Sequence, residues 1–282
     1  RYAAPALIDD KVIEAIKHFS SLAPLPNPPN LLGIETCMKA LPGVPQVAVF
    51  DTAFHGTLPA YAYTYGISGD LAKEANLRRY GFHGPSHQYV SLRAATALKK
   101  PVTEIKIISC HLGNGASLCA IDHGRSVDTS MGFSPMEGLV MGTRCGDIDP
   151  GLVLHLINRM GMPPKDVEKL LQNEGGLKGV SGITSDMREI EEAAGRGEPR
   201  ALLAVQMYAY RVKKYIGAYA AALGGVDVIT FEGGIGEYSA GTRARILQGM
   251  ERLGVTVDEG RNRDKGAGRE PVFEISADLA PV

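Results

Sequence analysis

The chain has 282 residues, 44% of them apolar and 22% charged, with a formal net charge of -1. That length buries a sizeable core in one large domain or two smaller ones, and the composition is that of an ordinary soluble globular protein. A near-neutral balance without basic runs argues against nucleic acid or a membrane surface as the main partner, and no stretch approaches the ~20 apolar residues of a spanning helix.

The chain opens RYAAPALIDD, without methionine, so the lack of a leader there says little about targeting. Residues 24–29 (PLPNPP) read as a rigid, extended connector. Residues 47–50 (VAVF) are a short apolar strand ending at Asp51. From Pro85 toward Lys100, Val90, Ala94 and Leu98 recur at helical spacing. Residues 105–108 form a second strand, which empties into CHLGNGASL at 110–118. A helix follows Pro163-Pro164 with Val167, Leu170 and Leu171 on one face, and Asp186 with Glu189 three residues on predicts another helix start. The longest helix runs over Pro199–Leu223, where Leu202, Val205, Tyr208, Val212, Tyr215, Ile216 and Tyr219 form a core stripe stopped by Gly224-Gly225. Residues 226–231 (VDVITF) are a third strand, running into EGGIGE; residues 258–269 read as an exposed polar loop. Strands alternating with helices predict an α/β fold.

Four cysteines, Cys37, Cys110, Cys119 and Cys145, make no C-x-x-C pair and no zinc spacing. Cys110 and Cys119 lie in or beside strand-like runs and read as buried thiols, and a reducing cytoplasm suits the set.

Two apolar strands that each end in glycines admit two readings. The glycines are plain turns, or they bare backbone amides to a phosphate. No G-x-x-x-x-G-K-[ST] is present, and Leu118 stands where a dinucleotide fingerprint wants Gly or Ala. Other polar residues cluster at turns. Asp51 is a strand-end carboxylate or a turn cap. His83 stands between glycines in YGFHG, and Arg144 in GTRCG. Asp147 and Asp149, ahead of Pro150, suit a metal or a helix start equally. Phosphoryl transfer needs positioned phosphates, magnesium and cations on the equatorial oxygens, parts that glycine loops, a carboxylate, a histidine and an arginine supply.

Together the segments FDTAFH (50–55), RRYGFHGPSH (78–87), CHLGNGAS (110–117), DTSMGFSPMEGLVMGTRCGDIDP (128–150) and FEGGIGE (231–237) resemble the acetokinase family, in the family's order over nearly the whole chain. The resemblance implies the two-domain, ribonuclease H-like fold of the actin-like ATPase superfamily, with residues 1–53 a remnant of the first domain and 54–282 the second, nucleotide-binding one. It implies reversible phosphoryl transfer from ATP to acetate, giving acetyl phosphate and ADP, with Mg2+, in a cytoplasmic homodimer that needs neither nucleic acid nor membrane. A propionate-specific member, or a catalytically impaired nucleotide-binding or dimerisation fragment, are the alternatives.

Carried onto this sequence, the resemblance makes Asp51 the catalytic carboxylate and the one residue near a metal, and His83 and Arg144 the groups that stabilise the transferring phosphoryl. His111, Leu112, Gly113, Asn114 and Gly115 hold the nucleotide's phosphates. Asp186, Met187 and Arg188, with Gly234, Ile235, Gly236, Glu237 and Tyr238, line the nucleoside end. Leu25, Phe82 and Pro135 form the acyl pocket. Pro26, Pro85 and Tyr238 depart from the family's usual histidine, threonine and asparagine. The family's N-x-G-S-S-S loop, a substrate-binding arginine and a metal-coordinating glutamate have no counterpart among these residues, so the 282 residues alone are expected to show little kinase activity.

Overall fold

The computed structural model describes residues 2, 4–19, 27–264, 272–278 and 280–282. In chain order come β1 (Ala6–Leu7), α1 (Asp10–His18), α2 (Asn27–Ala40), β2 (Val47–Ala48), α3 (Ala60–Tyr63), α4 (Gly69–Glu74) and α5 (Gly84–Leu98). Then follow β3 (Lys106–Leu112), β4 (Ala116–Asp122), β5 (Arg125–Thr129), α6 (Pro150–Asn158), α7 (Pro164–Asn173), α8 (Gly176–Ser181) and α9 (Met187–Gly195). The chain continues through α10 (Pro199–Leu223), β6 (Val228–Glu232), α11 (Gly233–Tyr238), α12 (Ala240–Leu247) and α13 (Glu259–Arg263).

The main sheet has the strand order β5-β4-β3-β6. β3 pairs antiparallel with β4 and parallel with β6, so the sheet is mixed, with two successive hairpins, β3–β4 and β4–β5, on one side. β4 turns into β5 through His123 and Gly124, both at positive φ (51° and 81°), the left-handed pair that matches the twist of a tight hairpin.

Side chains alternate across the pleat. Ile108, Cys110 and Leu112 of β3, with Leu118 and Ala120 of β4, face the large core built on α10. Ile107, Cys119 and Ile121 face the other way, against Ala94 and Ala95 of α5. α10 contributes Ala204, Val205, Tyr208, Val212, Ile216 and Tyr219 to its core, and Gly224 closes it in the left-handed conformation with its N–H on Ala220 and Ala221. Cys110 and Cys119 are buried, as their runs predict.

Several expectations are corrected. Asn27, Pro28 and Pro29 open α2 instead of forming an extended connector, because proline in a helix's first turn loses no hydrogen bond; residues 24–26 lie outside the described residues. The 47–50 run is a strand only at Val47–Ala48, paired with the two-residue β1, and Val47 and Val49 are exposed, because so short a two-stranded ribbon buries little. Residues 259–263 of the expected polar loop form α13, capped by the Asp258 carboxylate on Arg261 N–H. β4 showed only as the apolar run around Cys119 and β5 went unread, although a tight turn between polar and apolar runs marked the pair.

Leu202 belongs to the predicted stripe of α10 yet is 40% exposed, whereas Ile216 is fully buried. Ile216→Ala is expected to cost about 2–5 kcal/mol in urea unfolding, and Leu202→Ala about 1 kcal/mol or less. Equal losses would contradict the packing of α10.

Candidate active site

On the α5 side of the sheet the apolar surface gives way to polar groups toward the carboxyl ends of β3 and β6. Past Ile107, β3 presents Ser109 and His111, β4 presents Ser117, and β6 ends in Glu232. α5 begins over this patch and sends down His83, Ser86 and His87.

His83 is the N-cap of α5 and sits at φ 59°, ψ 22°. A left-handed histidine costs on the order of 1 kcal/mol or more and persists only where neighbours hold it. The next residue, Gly84, is what holds it: its N–H donates to the Asp51 carbonyl over 2.8 Å, and a Cβ there would stand 2.5 Å from that oxygen. Asp51 and His83 are thereby tied together. Pro85, in the first turn of α5, is an unstrained position for proline.

Gly113, Asn114 and Gly115 form the β3–β4 turn, closed by Gly113 N–H on the Gly115 carbonyl at 3.0 Å. The bare backbone of HLGNG therefore serves the hairpin first, and the Gly113 amide is spent within it. The opposite side of the turn is where the site forms. A Cβ on Gly115 would lie 3.4 Å from His83 Nε2 and 3.5 Å from an Arg144 guanidinium nitrogen, so glycine here lets both groups converge on one point. Arg144 donates to the Pro135 carbonyl over 3.2 Å. Its loop is clamped to the turn by Gly142 N–H on the Asn114 carbonyl at 2.9 Å, and any Cβ on Gly142 would strike the Asn114 side chain.

The rings of His83 and His111 stack 4.1 Å apart. Burial first, then His111, Arg144 and His55, push His83 down to about 3. His111 is lowered by burial, against the pull of the nearby Asp51 carboxylate. Both rings are neutral at neutral pH, each with one N–H to donate. Burial lowers Arg144 too, but a guanidinium stays charged. The point beside Gly115 thus collects one fixed cation and a neutral imidazole, next to an exposed carboxylate, which suits an anion whose charge shifts during reaction.

The rest of the 128–150 segment is scaffold. Arg79 donates to the carbonyls of Thr129, Ser130 and Met131 and pairs with Glu137 at 2.5 Å; Tyr65 also donates to Glu137. Asp147 accepts from Gly138 N–H and the Tyr215 hydroxyl, and Asp149 caps α6 through Gly151 N–H. Both aspartates are occupied in this way, which resolves that pair in favour of structure. Among the described residues no group of three or more His, Cys, Asp or Glu is arranged to hold a metal. Asp51 is a lone exposed carboxylate, a donor set that fits Mg2+ only in the mode in which substrate phosphates and water complete the shell.

The remaining predicted residues divide. Leu112 is fully buried in the core and Met187 nearly so, so neither side chain can reach a ligand. Asp186 caps α9 on Arg188 N–H and pairs with the Arg188 guanidinium at 2.5 Å, which holds its carboxyl down to about 2. The glycines of EGGIGE are helical: Gly234, Ile235, Gly236 and Glu237 lie within α11, which Tyr238 ends as an exposed ring. Gly233, at φ 77°, lets that helix start against the Leu112 carbonyl, 2.8 Å from where a Cβ would be. Among the described residues no hydrogen bond or ion pair joins these two segments to His83 or Arg144; α9 and α12 meet instead through Glu191, which accepts from Ser239 and Thr242. Phe82 packs on the main core and its carbonyl lies 2.9 Å from His55 Nε2. Leu25 is outside the described residues.

Sequence reasoning missed His55, His87, Ser109, Ser117 and Glu232. His87 follows His83 by four residues and so shares its helix face, a signal that was present. The serines interrupt apolar strands on alternate positions, which shows only once β3 and β4 are paired.

The buried histidines set a pH limb. His55 is held down to about 4 by burial, so between pH 4 and 6.5 the unfolded chain binds a proton that the fold refuses. Its stabilisation is complete above about 6.5 and is lost as pH falls through 4, about 3 kcal/mol for this group alone. Glu232 runs the other way. Burial pushes it up to about 8, so its contribution is whole below 4.5 and is lost as pH rises through 8. His83 and His87 are held down as well and outweigh Glu232 on the acid side, so denaturant unfolding is expected to show greatest stability near pH 6.5; His55→Gln should flatten the acid side, and an unchanged acid slope would refute the assignment.

The family profile described as the acetokinase family matches residues 1–281. The chain is 50% identical over 266 residues to an acetate kinase of Methanosarcina acetivorans, covering 94% of this chain and 65% of that protein. It is 52% identical over 266 residues to one of Halothermothrix orenii, covering 94% and 67%. The chain thus spans about two thirds of the length of these relatives. Among solved structures, Porphyromonas gingivalis acetate kinase superposes with a TM-score of 0.94 at 44% identity, over 100% of this chain and 70% of that one. A propionate kinase from Francisella tularensis gives 0.89 at 40% identity, over 93% and 67%. The α/β fold is that of these kinases, within the actin-like ATPase superfamily, and the chain belongs to the acetokinase family.

Proposed function

We propose that the protein is an acetate kinase, which transfers the γ-phosphoryl group of ATP to acetate and releases ADP and acetyl phosphate, reversibly. The observation that carries this reading is the convergence of His83 and Arg144 on the bare backbone of Gly115, with Asp51 tied to His83 through Gly84. Similarity to acetate kinases at about half identity supports it.

In this reading a carboxylate oxygen of acetate attacks the γ-phosphorus while the bond to the leaving ADP oxygen breaks. Arg144 and the His83 N–H meet the charge on the equatorial oxygens, and the turn from His111 to Gly115 carries the phosphates. Asp51 is the residue that would hold Mg2+, which would supply charge neutralisation for the phosphates when bound. The neighbourhood of Asp186, Arg188 and α11 receives the nucleoside, with Met187 offering backbone only. Phe82 and Pro135 wall the methyl group; the third pocket residue that the family resemblance implies, Leu25, lies outside the described residues. Residues 1–53 would belong to a first domain and 54–282 to the nucleotide-binding one, in a cytoplasmic homodimer. The likeness to a propionate kinase keeps a three-carbon substrate as a second reading.

A hydroxamate assay for acyl phosphate tests this, using the intact protein with Mg-ATP and acetate, propionate or butyrate, and the 282-residue chain beside it. Acetate is expected to be the preferred acid, and Arg144→Ala to lower turnover by about 10²–10³-fold. Faster turnover of propionate would select the second reading. No acyl phosphate from any acid would sink both.

A further inference from the structure

A buried chain of hydrogen bonds reaches His83 from behind. His83 Nδ1 lies 2.9 Å from Ser117 Oγ, and Ser117 Oγ lies 2.9 Å from His87 Nε2. His87 Nδ1 lies 2.7 Å from Ser109 Oγ, and Ser109 donates to Glu232 Oε1 over 2.5 Å. His87, Ser109 and Ser117 are wholly buried, so water does not intervene as an alternative partner.

Each serine in this chain has one proton to give, and each neutral imidazole has one N–H and one bare nitrogen. Their directions are therefore coupled. An ionised Glu232 only accepts, so it takes the Ser109 proton. His87 must then donate from Nδ1 to Ser109 and accept at Nε2 from Ser117. Ser117 in turn accepts from His83 Nδ1–H, which leaves His83 Nε2 bare on the Gly115 side. One added proton on the Glu232–His87 pair reverses this. Whether it rests on Glu232 Oε1, the oxygen that faces Ser109, or on His87, the Nε2 of His87 becomes a donor, Ser117 gives its proton to His83 Nδ1, and His83 shows Nε2–H to Gly115 and Arg144.

We infer that Glu232 is a positioning residue that acts through Ser109, His87 and Ser117 to decide whether His83 offers an N–H or a bare nitrogen to the phosphoryl-binding point. The identity of that point rests on the kinase reading above. A phosphoryl oxygen accepts hydrogen bonds, so only the N–H form serves it.

The surroundings make Glu232 the group that titrates. Burial pushes it up to about 8, while Ser109 and Thr230 pull it down. Facing it are His87 on α5, 3.7 Å away, His111 on β3 and Cys119 on β4, with Cys110 of β3 adjacent on the other face of the sheet. Glu237, on the adjoining α11, is exposed. Burial keeps both thiols protonated and lowers His87. The donor form of His83 therefore prevails below about pH 8 and the bare form above it.

The test is long-range proton–nitrogen NMR of the intact protein with ring-15N-labelled histidine, followed from pH 6 to 9. His83 Nε2 is expected to pass from the protonated to the bare shift range around pH 8 in the wild type, and to show no such passage in Glu232→Gln or in Ser109→Ala. A His83 that keeps one tautomer throughout, or one that still switches in a folded Glu232→Gln protein, overturns the inference. The wild-type titration decides the matter even if neither variant folds. No turnover enters the readout, so a negative kinase assay and a missing switch are separate failures.

Discussion

The closure of β3 onto β4 at Gly113–Gly115 is the constraint on which the candidate site depends. It spends the Gly113 amide on Gly115, and it leaves the Asn114 carbonyl to receive Gly142. That one bond brings the Arg144 loop to the hairpin, and α8 continues the clamp through Leu177 N–H on the Met141 carbonyl. Without the turn, Arg144 and His83 would have no common point. A side chain at 115 would occupy the space where they meet, and one at 142 would strike Asn114.

The α5 face of the sheet shows how a buried polar patch is tolerated. Burying a polar group without a partner costs ~1–3 kcal/mol, yet His55, His87, Ser109, Ser117 and Ser126 are all paired, mostly with one another. The patch sits at the carboxyl end of β3 and β6, the usual end for ligands in open α/β sheets. The apolar half beneath, Ile105, Ile107, Cys119 and Ile121 against α5, supplies the packing that the polar half lacks. A left-handed His83 is held in place by this same division, anchored through Gly84 on one side and Ser117 on the other.

Much of this was legible in the residues. The 25-residue α10 and its glycine stop follow from a periodic stripe and a left-handed cap, and Asp51, His83 and Arg144 stood out as polar residues flanked by turns or glycine. Other features were not local. Glycines in EGGIGE read as a loop, but Gly233 alone needs positive φ within that run and the rest complete a helical turn. Leu112 and Met187 sit inside binding motifs yet point into the core, because a motif fixes the backbone and leaves the side chain to the pleat or the helix face. Glu232 looked like the end of a strand. Apart from Thr230, its partners Ser109 and His87 lie on β3 and α5, more than a hundred residues away, and no spacing announces them.

The two buried cysteines bracket this arrangement. Cys110 lies under α10 and Cys119 under α5, 3.3 Å from Ser126, and burial keeps both thiols protonated. A thiolate is the reactive form, so neither meets an alkylating reagent while the sheet is closed. Cys37, on α2, is exposed and open to such a reagent. The two faces of one sheet thus carry separate chemical clocks, one timing the release of α10 and the other the lifting of α5 from the histidine cluster.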